Sequence, residues 1–271
     1  MSKELIVPSG IGDLAWVLKT MIQEPHDFLI CKSQQYRAWQ LLDLVPSLVN
    51  SYKECNTPFS YTDASITQLN KHLETGNRIE KFTGAVYELP LQTEQYKARA
   101  CKLLKKKAGT KLIGIYTSTL KHGWVQSKQA WTPDVWVTFL KEMQGMNPDV
   151  RFALFGAEYD ADMAVYLKDA GVQFTNCVGN QHLGVSIEAM RKCDAFVGFP
   201  SGLTVLAHEI GLPTIMFFPN ESRHVKMHNT FNWLGSVEDG TWKGCTFPRL
   251  DQIFKWMATN KVWTEILNLN L

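Results

Sequence analysis

The run Gly10-Ile11-Gly12-Asp13-Leu14-Ala15 sets two glycines and a carboxylate between the apolar segment Leu5-Ile6-Val7 and the stretch Trp16-Val17-Leu18. Two chemistries fit it. As a G-x-G-x-x-A fingerprint, the turn would hold the pyrophosphate of a dinucleotide through backbone N–H groups. As a glycine turn that presents Asp13 in the first turn of a helix, it would offer a base to a substrate, since glycines let a ligand come close. Asp13 also reads as a plain helix cap, near free N–H groups and the positive end of the dipole. The fingerprint calls for an acid about twenty positions on, at the end of the second strand, to hold the ribose. Here that strand ends in Cys31-Lys32-Ser33. An oxidoreductase reading is therefore left with an NADP site built from Lys32, Ser33 and Arg37.

A second set of residues suits anions. After the strand-like Leu112–Tyr116 come Thr117-Ser118-Thr119, a polar loop with Lys128, and Trp131-Thr132-Pro133-Asp134 opening a helix. Hydroxyls, a lysine and a helix N-terminus together bind phosphate or pyrophosphate. After the strand-like Ala195–Gly198, the loop Phe199-Pro200-Ser201-Gly202-Leu203-Thr204 also enters a helix through small residues. Two such loops in one half point to a nucleoside diphosphate. The pair His224 and His228 has helical ligand spacing but no carboxylate motif nearby, so it reads as solvated and no metal site is expected. The six cysteines, Cys31, Cys55, Cys101, Cys177, Cys193 and Cys245, contain no C-x-x-C pair and read as reduced, mostly buried thiols.

The elements that must position these residues alternate strand with helix, which predicts parallel sheets covered on both faces. A first unit runs strand Leu5–Pro8, helix Asp13–Gln23, strand Phe28–Cys31, with helical patches at Tyr36–Leu44, Ile66–Leu73 and Gln95–Lys107. A second runs Leu112–Tyr116, helix Pro133–Met146, strand Arg151–Phe155, helix Ala161–Ala170, strand Gln173–Cys177, helix Ser186–Lys192, strand Ala195–Gly198, helix Leu203–Ile210, strand Thr214–Phe218. The polar Lys105–Thr110 segment is the natural linker. The expected architecture is two Rossmann-like domains, 1–108 and 109–271, with parallel sheets facing a cleft and the C-terminal helices packing back on the first domain. Ligands in such sheets lie beyond the carboxyl ends of the strands.

Composition bounds the rest. The 271 residues are 45% apolar and 20% charged, which is globular rather than disordered, and a net charge of +2 advertises no strong nucleic-acid or membrane field. One local exception is the acid-free run of Lys97, Arg99, Lys102, Lys105, Lys106 and Lys107, which reads as a solvated face or as a surface for a polyanion. Trp16, Tyr36 and Trp39 read as core residues that are also capable of stacking on a base or sugar. No window approaches the roughly 18 apolar residues of a membrane span, and the opening Met-Ser-Lys-Glu resembles no leader. A soluble, cytoplasmic protein is expected.

Four segments, in order and with sensible spacing, resemble the heptosyltransferase-like group (glycosyltransferase family 9) of two-domain GT-B glycosyltransferases. They are S-G-I-G-D-L ending at Leu14, T-S-T…K-x-x-W-T-P from Thr117 to Pro133, G-A-E at Gly156–Glu158, and D-A-F-V-G-F-P-S-G-L-T-V-L-A-H-E-I-G-L-P at Asp194–Pro213. The resemblance implies a metal-independent, inverting-type glycosyltransferase that uses a nucleotide sugar as substrate and no cofactor. By position, it makes Asp13 the general base, with Gly10 and Gly12 around it. Lys128, Ser118 and Thr119 would hold the donor phosphates with Ser201, Gly202 and Leu203, Glu158 would contact the nucleoside, and His182 and Leu183 would line the base pocket. Apart from the resemblance, the loop Pro219–Asn229 after the last clear strand would bring Arg223 and His224 to the acceptor rim, to meet donor or acceptor.

The chain departs from that pattern at Pro200 and Val205, where the group usually has Asp and His. Those changes put a heptose donor in doubt and leave room for a nucleotide-sugar-binding protein without turnover. The short first half points to a different acceptor. A saccharide hydroxyl and a hydroxymethylated DNA base both fit, the latter making the chain a short relative of phage enzymes that glycosylate DNA.

Overall fold

The computed structural model describes residues 4–7, 10–20, 24–31, 35–55, 89–118, 120, 131–199, 201–218, 242–246 and 250–268. The expected helix Ile66–Leu73, together with Lys32, Ser33, Thr119, Lys128, Pro200, Arg223, His224 and His228, lies outside them.

Among the described residues the strands form two sheets, both parallel. In the first half β1 (Glu4–Val7), β2 (His26–Cys31) and β3 (Val49–Cys55) lie in the order β1-β2-β3, with α1 (Ile11–Thr20) and α2 (Gln35–Asp43) between them in sequence. A 3-10 turn, Glu94–Tyr96, leads into α3 (Lys97–Leu103). The second half runs β4 (Lys111–Tyr116), α4 (Pro133–Met146), β5 (Val150–Gly156), α5 (Ala161–Asp169), β6 (Phe174–Val178), α6 (Leu183–Met190), β7 (Ala195–Gly198), α7 (Gly202–Glu209), β8 (Thr214–Phe218) and β9 (Trp242–Thr246). It closes with α8 (Leu250–Thr259) and α9 (Lys261–Leu267).

Local sequence explains much of this. Helix α4 opens with Thr132 in an extended conformation and Pro133 in its first turn, then buries Trp136, Phe139, Leu140 and Met143, three to four residues apart as one helical face requires. The central strands β4, β5 and β7 of the second sheet bury both faces, and alternate residues enter different cores. Ile113 and Ile115, Phe152 and Leu154, and Ala195 and Val197 point to one core. Leu112, Ala153, Phe155 and Phe196 point to the other. The β3 segment V-N-S-Y-K-E-C escaped the sequence reading because it is almost wholly exposed and polar, and its place is set by the ladder to β2.

Helix α6 begins at Leu183 rather than Ser186, three residues before expectation. The His182 Nδ1 accepts from the Gly184 N–H at 3.1 Å, and all eight of the helix residues are buried. A Cβ on Gly184 would fall 2.3 Å from the Tyr96 ring, so the glycine that weakens helix propensity is needed for close packing.

The two cores divide the molecule in an informative way. One contains α4, α5, α8 and α9 against the outer face of the second sheet, and its buried members all come from residue 113 onward. The C-terminal helices, expected to pack back on the first domain, place Ile253, Met257, Trp263, Ile266 and Leu267 in this second-half core. The other core is shared: Leu14, Leu18, Phe28, Leu41 and Val45 of the first half pack with Leu183, Ile187, Val205 and Leu206 of the second. At roughly 1.5–3 kcal/mol for each large apolar side chain removed from water, a handful of such residues suffices to hold the halves together.

Candidate active site where the two halves meet

The second sheet has the strand order β6-β5-β4-β7-β8-β9. Numbered within its own half, that is 3-2-1-4-5-6, the order of a Rossmann sheet, and the crevice opens between β4 and β7 where the winding reverses. Tyr116 at the end of β4 is paired with Gly198 at the end of β7, so the loops leaving these strands start side by side. These are the loops of Ser118 and Ser201.

Ser118 is 1% exposed and sits in a left-handed backbone conformation, φ 69°, which non-glycine residues seldom adopt. Its Oγ has no hydrogen bond of good geometry among the described residues, although the Tyr116 phenol lies close enough to interact with it. Across the crevice Ser201 caps α7, its Oγ accepting from the Thr204 N–H at 3.3 Å. Thr204 Oγ1 donates to the Phe199 carbonyl at 2.8 Å and so ties the loop to its strand. Leu203 is half-buried against the shared core.

The glycine turn of the first half lands on this loop. A Cβ built on Gly202 would lie 2.1 Å from Ile11 Cγ1 and 2.8 Å from the Gly12 nitrogen, and one on Gly12 would lie 3.1 Å from Gly202 Cα. Gly202 has no room for a side chain, and Gly12 has room for a methyl group only if the neighbouring backbone gives by a few tenths of an ångström. The N-termini of α1 and α7 therefore abut, and Asp13, third residue of α1, follows directly on the contact. Gly10 accepts the Leu14 N–H at 2.9 Å, closing the first turn. Two positive helix ends converge where a phosphate-compatible loop was expected. Val205 Cγ2 stands 3.4 Å from where a Cβ on Gly12 would lie, and the residue is buried in the shared core. At one departure from the family pattern, then, an apolar contact between halves stands where an imidazole would be.

Farther along the sheet edge lies an open cleft of about 650 Å³ lined by Gln40, Glu158, Tyr159 and Asn180. Glu158 is exposed and accepts from Asn180 Nδ2. His182 stacks on Tyr96 with ring centroids 4.5 Å apart, and its Nδ1 is committed to capping α6. Burial holds the His182 pKa below the ordinary imidazole value, the Arg99 and Arg37 charges add to this, and Asp43 opposes it. Leu183 has its side chain in the core, at 0% exposure, and turns only its backbone N–H to the neighbouring α2, where Gln40 Oε1 accepts it at 2.9 Å.

Two residues at this place went unread in the sequence as site residues or were read for something else. Arg37, considered for an NADP phosphate, instead donates to the carbonyls of Gln181 at 2.8 Å and Gly179 at 3.2 Å. Gln40 carried no signal at all, since its role depends on α2 docking against a loop about 140 residues away in sequence. Behind the cleft, Asp160 is buried in the 3-10 turn Glu158–Asp160 between β5 and α5, accepting from the Ala157 N–H at 2.9 Å and facing the Tyr116 hydroxyl at 3.5 Å. Desolvation raises its pKa to about 6, and the tyrosine is pushed up by burial and by the nearby carboxylate.

In the basic run, Lys97 bonds to Glu94 and Lys106 to Asp194, while Arg99, Lys102, Lys105 and Lys107 are exposed. Trp39 packs against the shared core. Cys177 and Cys193 are buried free thiols, Cys55 is half-buried and Cys101 is exposed. Among the described residues no three His, Cys, Asp or Glu side chains are grouped as metal ligands, and no helix is long and apolar enough to cross a membrane.

No family model matches the chain, and no curated protein matches it significantly. Solved structures do. ADP-heptose LPS heptosyltransferase II of E. coli superposes with a TM-score of 0.63 at 13% identity, covering 98% of this chain and 99% of that one. The fold is that of the heptosyltransferase-like GT-B glycosyltransferases. E. coli heptosyltransferase WaaC with ADP gives 0.53 at 11% identity over 96% of this chain and 100% of that one. A family 9 glycosyltransferase of Veillonella parvula gives 0.50 at 12% identity over 90% and 72%. In GT-B terms, the contact of α1 with α7 is where the two Rossmann-like halves meet.

Proposed function

We propose that this protein is a glycosyltransferase that moves a sugar from a nucleotide-activated donor to an acceptor hydroxyl, with inversion and without a metal ion. The observation that supports it most is the abutment of Gly12 on Gly202, which sets the start of α1, and with it Asp13, beside a loop suited to phosphate at the switch point of the second sheet. In this reading Ser118, Thr119, Ser201 and Gly202 hold the diphosphate, and Lys128 neutralises the charge that grows on it as the glycosidic bond breaks. Glu158 contacts the nucleoside. Asp13 takes the proton of the acceptor hydroxyl as its oxygen attacks the anomeric carbon, because a hydroxyl becomes an adequate nucleophile only when a positioned base accepts its proton.

The acceptor is a saccharide or a hydroxymethylated DNA base, with Arg223 and His224 at its rim. The Asp13→Asn variant tests the core of the reading. Asp13 lies in the first turn of α1 rather than at its cap, and there a carboxylate gains ~0.3–1 kcal/mol from the helix dipole, so the isosteric Asn changes stability by under ~1 kcal/mol. Turnover falls by ~10²–10⁴, the usual contribution of a positioned base. Donor affinity, measured by calorimetry, stays near wild type. A fully active variant would overturn the assignment, and a wild-type protein that binds no nucleoside diphosphate would overturn the proposal as a whole.

A further inference from the structure

The cleft formed by Gln40, Glu158, Tyr159 and Asn180 draws its walls from both halves. Glu158 and Tyr159 follow β5 and Asn180 follows β6, whereas Gln40 belongs to α2 of the first half. Its place relative to the phosphate-compatible loops has a natural scale. Strands β5 and β6 are the first and second neighbours of β4 in the sheet. Parallel strands are spaced ~4.8 Å apart, so the loops after β5 and β6 begin ~5–10 Å from the one carrying Ser118, the reach of a ribose and a base.

The hydrogen-bonding groups on its walls are specific. Gln40 Oε1 accepts from the Leu183 N–H at 2.9 Å and from Arg37 Nη1 at 3.4 Å. An amide oxygen turned to a backbone N–H fixes which way the carboxamide points, and its two N–H donors then face elsewhere. Gln40 Nε2 makes no hydrogen bond among the described residues, and the side chain lines the cleft. Asn180 gives its Nδ2 to Glu158, which leaves its Oδ1 as an acceptor. Tyr159 is 57% exposed, an unusually open position for a large ring. The cleft thus combines amide donors, an amide acceptor and an aromatic face, the set that recognises the hydrogen-bonding edge and the face of a nucleobase.

We infer that Gln40 is a specificity-determining residue for the nucleobase of the donor, contributed by the half that does not hold the donor phosphates. The assignment rests on the nucleotide-sugar reading above. The same carboxamide that holds the start of α6 to α2 reads the base, so the base is bound fully only when the two halves are docked.

Gln40→Glu tests this in the full-length protein, because it keeps an oxygen for the Leu183 N–H and removes both donors. Gln40→Met serves as the uncharged companion. ADP, GDP, UDP, CDP and inorganic pyrophosphate are titrated calorimetrically against each. The expected result is a ~5–10-fold loss of affinity for the nucleoside diphosphate preferred by the wild type, the scale of one lost hydrogen bond. The spread among the four bases narrows in both variants, and pyrophosphate affinity in Gln40→Met stays within about twofold, as for an effect confined to the base. Unchanged base preference in both variants, or an equal loss for pyrophosphate in Gln40→Met, overturns the assignment. Wild-type protein that binds none of the four nucleotides overturns the donor reading on which it rests, whereas wild-type binding with indifferent variants removes Gln40 alone.

Discussion

At the scale of single residues, the buried acid behind the cleft gives the protein a pH signature. Asp160 has its pKa raised to about 6 by desolvation, against which the Ala157 N–H and the Tyr116 hydroxyl work in part, while Asp162 adds to the rise. The native state therefore keeps a proton that the unfolded chain gives up near pH 4. Stability present below that point is lost as pH climbs towards 6, and levels off above it. A shift of about two units corresponds to at most ~3 kcal/mol. Asp160→Asn keeps an acceptor for the Ala157 N–H and cannot ionise. It is expected to flatten the fall in melting temperature between pH 4 and 6 and to leave the variant more stable than wild type at pH 8. A variant with the wild-type pH profile would show that Asp160 ionises without cost in the fold. Ser118 lies at this same scale: its left-handed backbone at the end of β4 is invisible in the motif T-S-T, which signals only hydroxyls.

At the scale of elements, the contact between α1 and α7 is the feature most sensitive to a single methyl group. Ala at Gly202 would bring Cβ to 2.8 Å from the Gly12 backbone nitrogen, and that atom has no side-chain freedom with which to move away. Ala at Gly12 meets Gly202 Cα at 3.1 Å, a closeness that small shifts absorb. Gly202→Ala is expected to cost ~1–3 kcal/mol, the usual range for overpacking, and Gly12→Ala less. Thermal melting reads the difference as a few degrees, with Gly202→Ala the lower, and the reverse order would contradict the packing described. Elements such as α4, with one buried face, and β4, an apolar run buried on both faces, were legible in the sequence because their own residues decide them. The edge strand β3 and the early start of α6 were not. The first is exposed and polar, and the second depends on a histidine cap and on Tyr96 lying over Gly184.

At the scale of the whole molecule, the arrangement of charge separates the two acceptor classes. Four cations of the basic run, Arg99, Lys102, Lys105 and Lys107, remain exposed after Lys97 and Lys106 find acids. Were the acceptor DNA, each phosphate contact would contribute ~0.9 to the slope of log affinity against log salt. Mobility shifts on hydroxymethylated duplex would then weaken steeply between low and physiological salt, and charge reversal at Lys102 and Lys105 would reduce the slope. A neutral saccharide acceptor predicts transfer nearly indifferent to salt. No shift even at low salt removes the DNA reading and leaves the saccharide.

The sequence by itself determined the alternation of strands and helices, the two-unit organisation and the small-residue loops at strand ends. It also carried the resemblance to a GT-B enzyme. These are local properties, written in hydrophobic period and in the residues that turns demand. Only the tertiary structure decided that the second sheet follows the Rossmann order, that Gly12 rests on Gly202, and that Gln40 and Arg37 of α2 dock on the loop before α6. It likewise placed the C-terminal helices in the core of the second half. Each of these joins segments far apart in the chain, held by buried apolar surface and by hydrogen bonds to backbone groups, and neither leaves a mark in the local pattern of either segment.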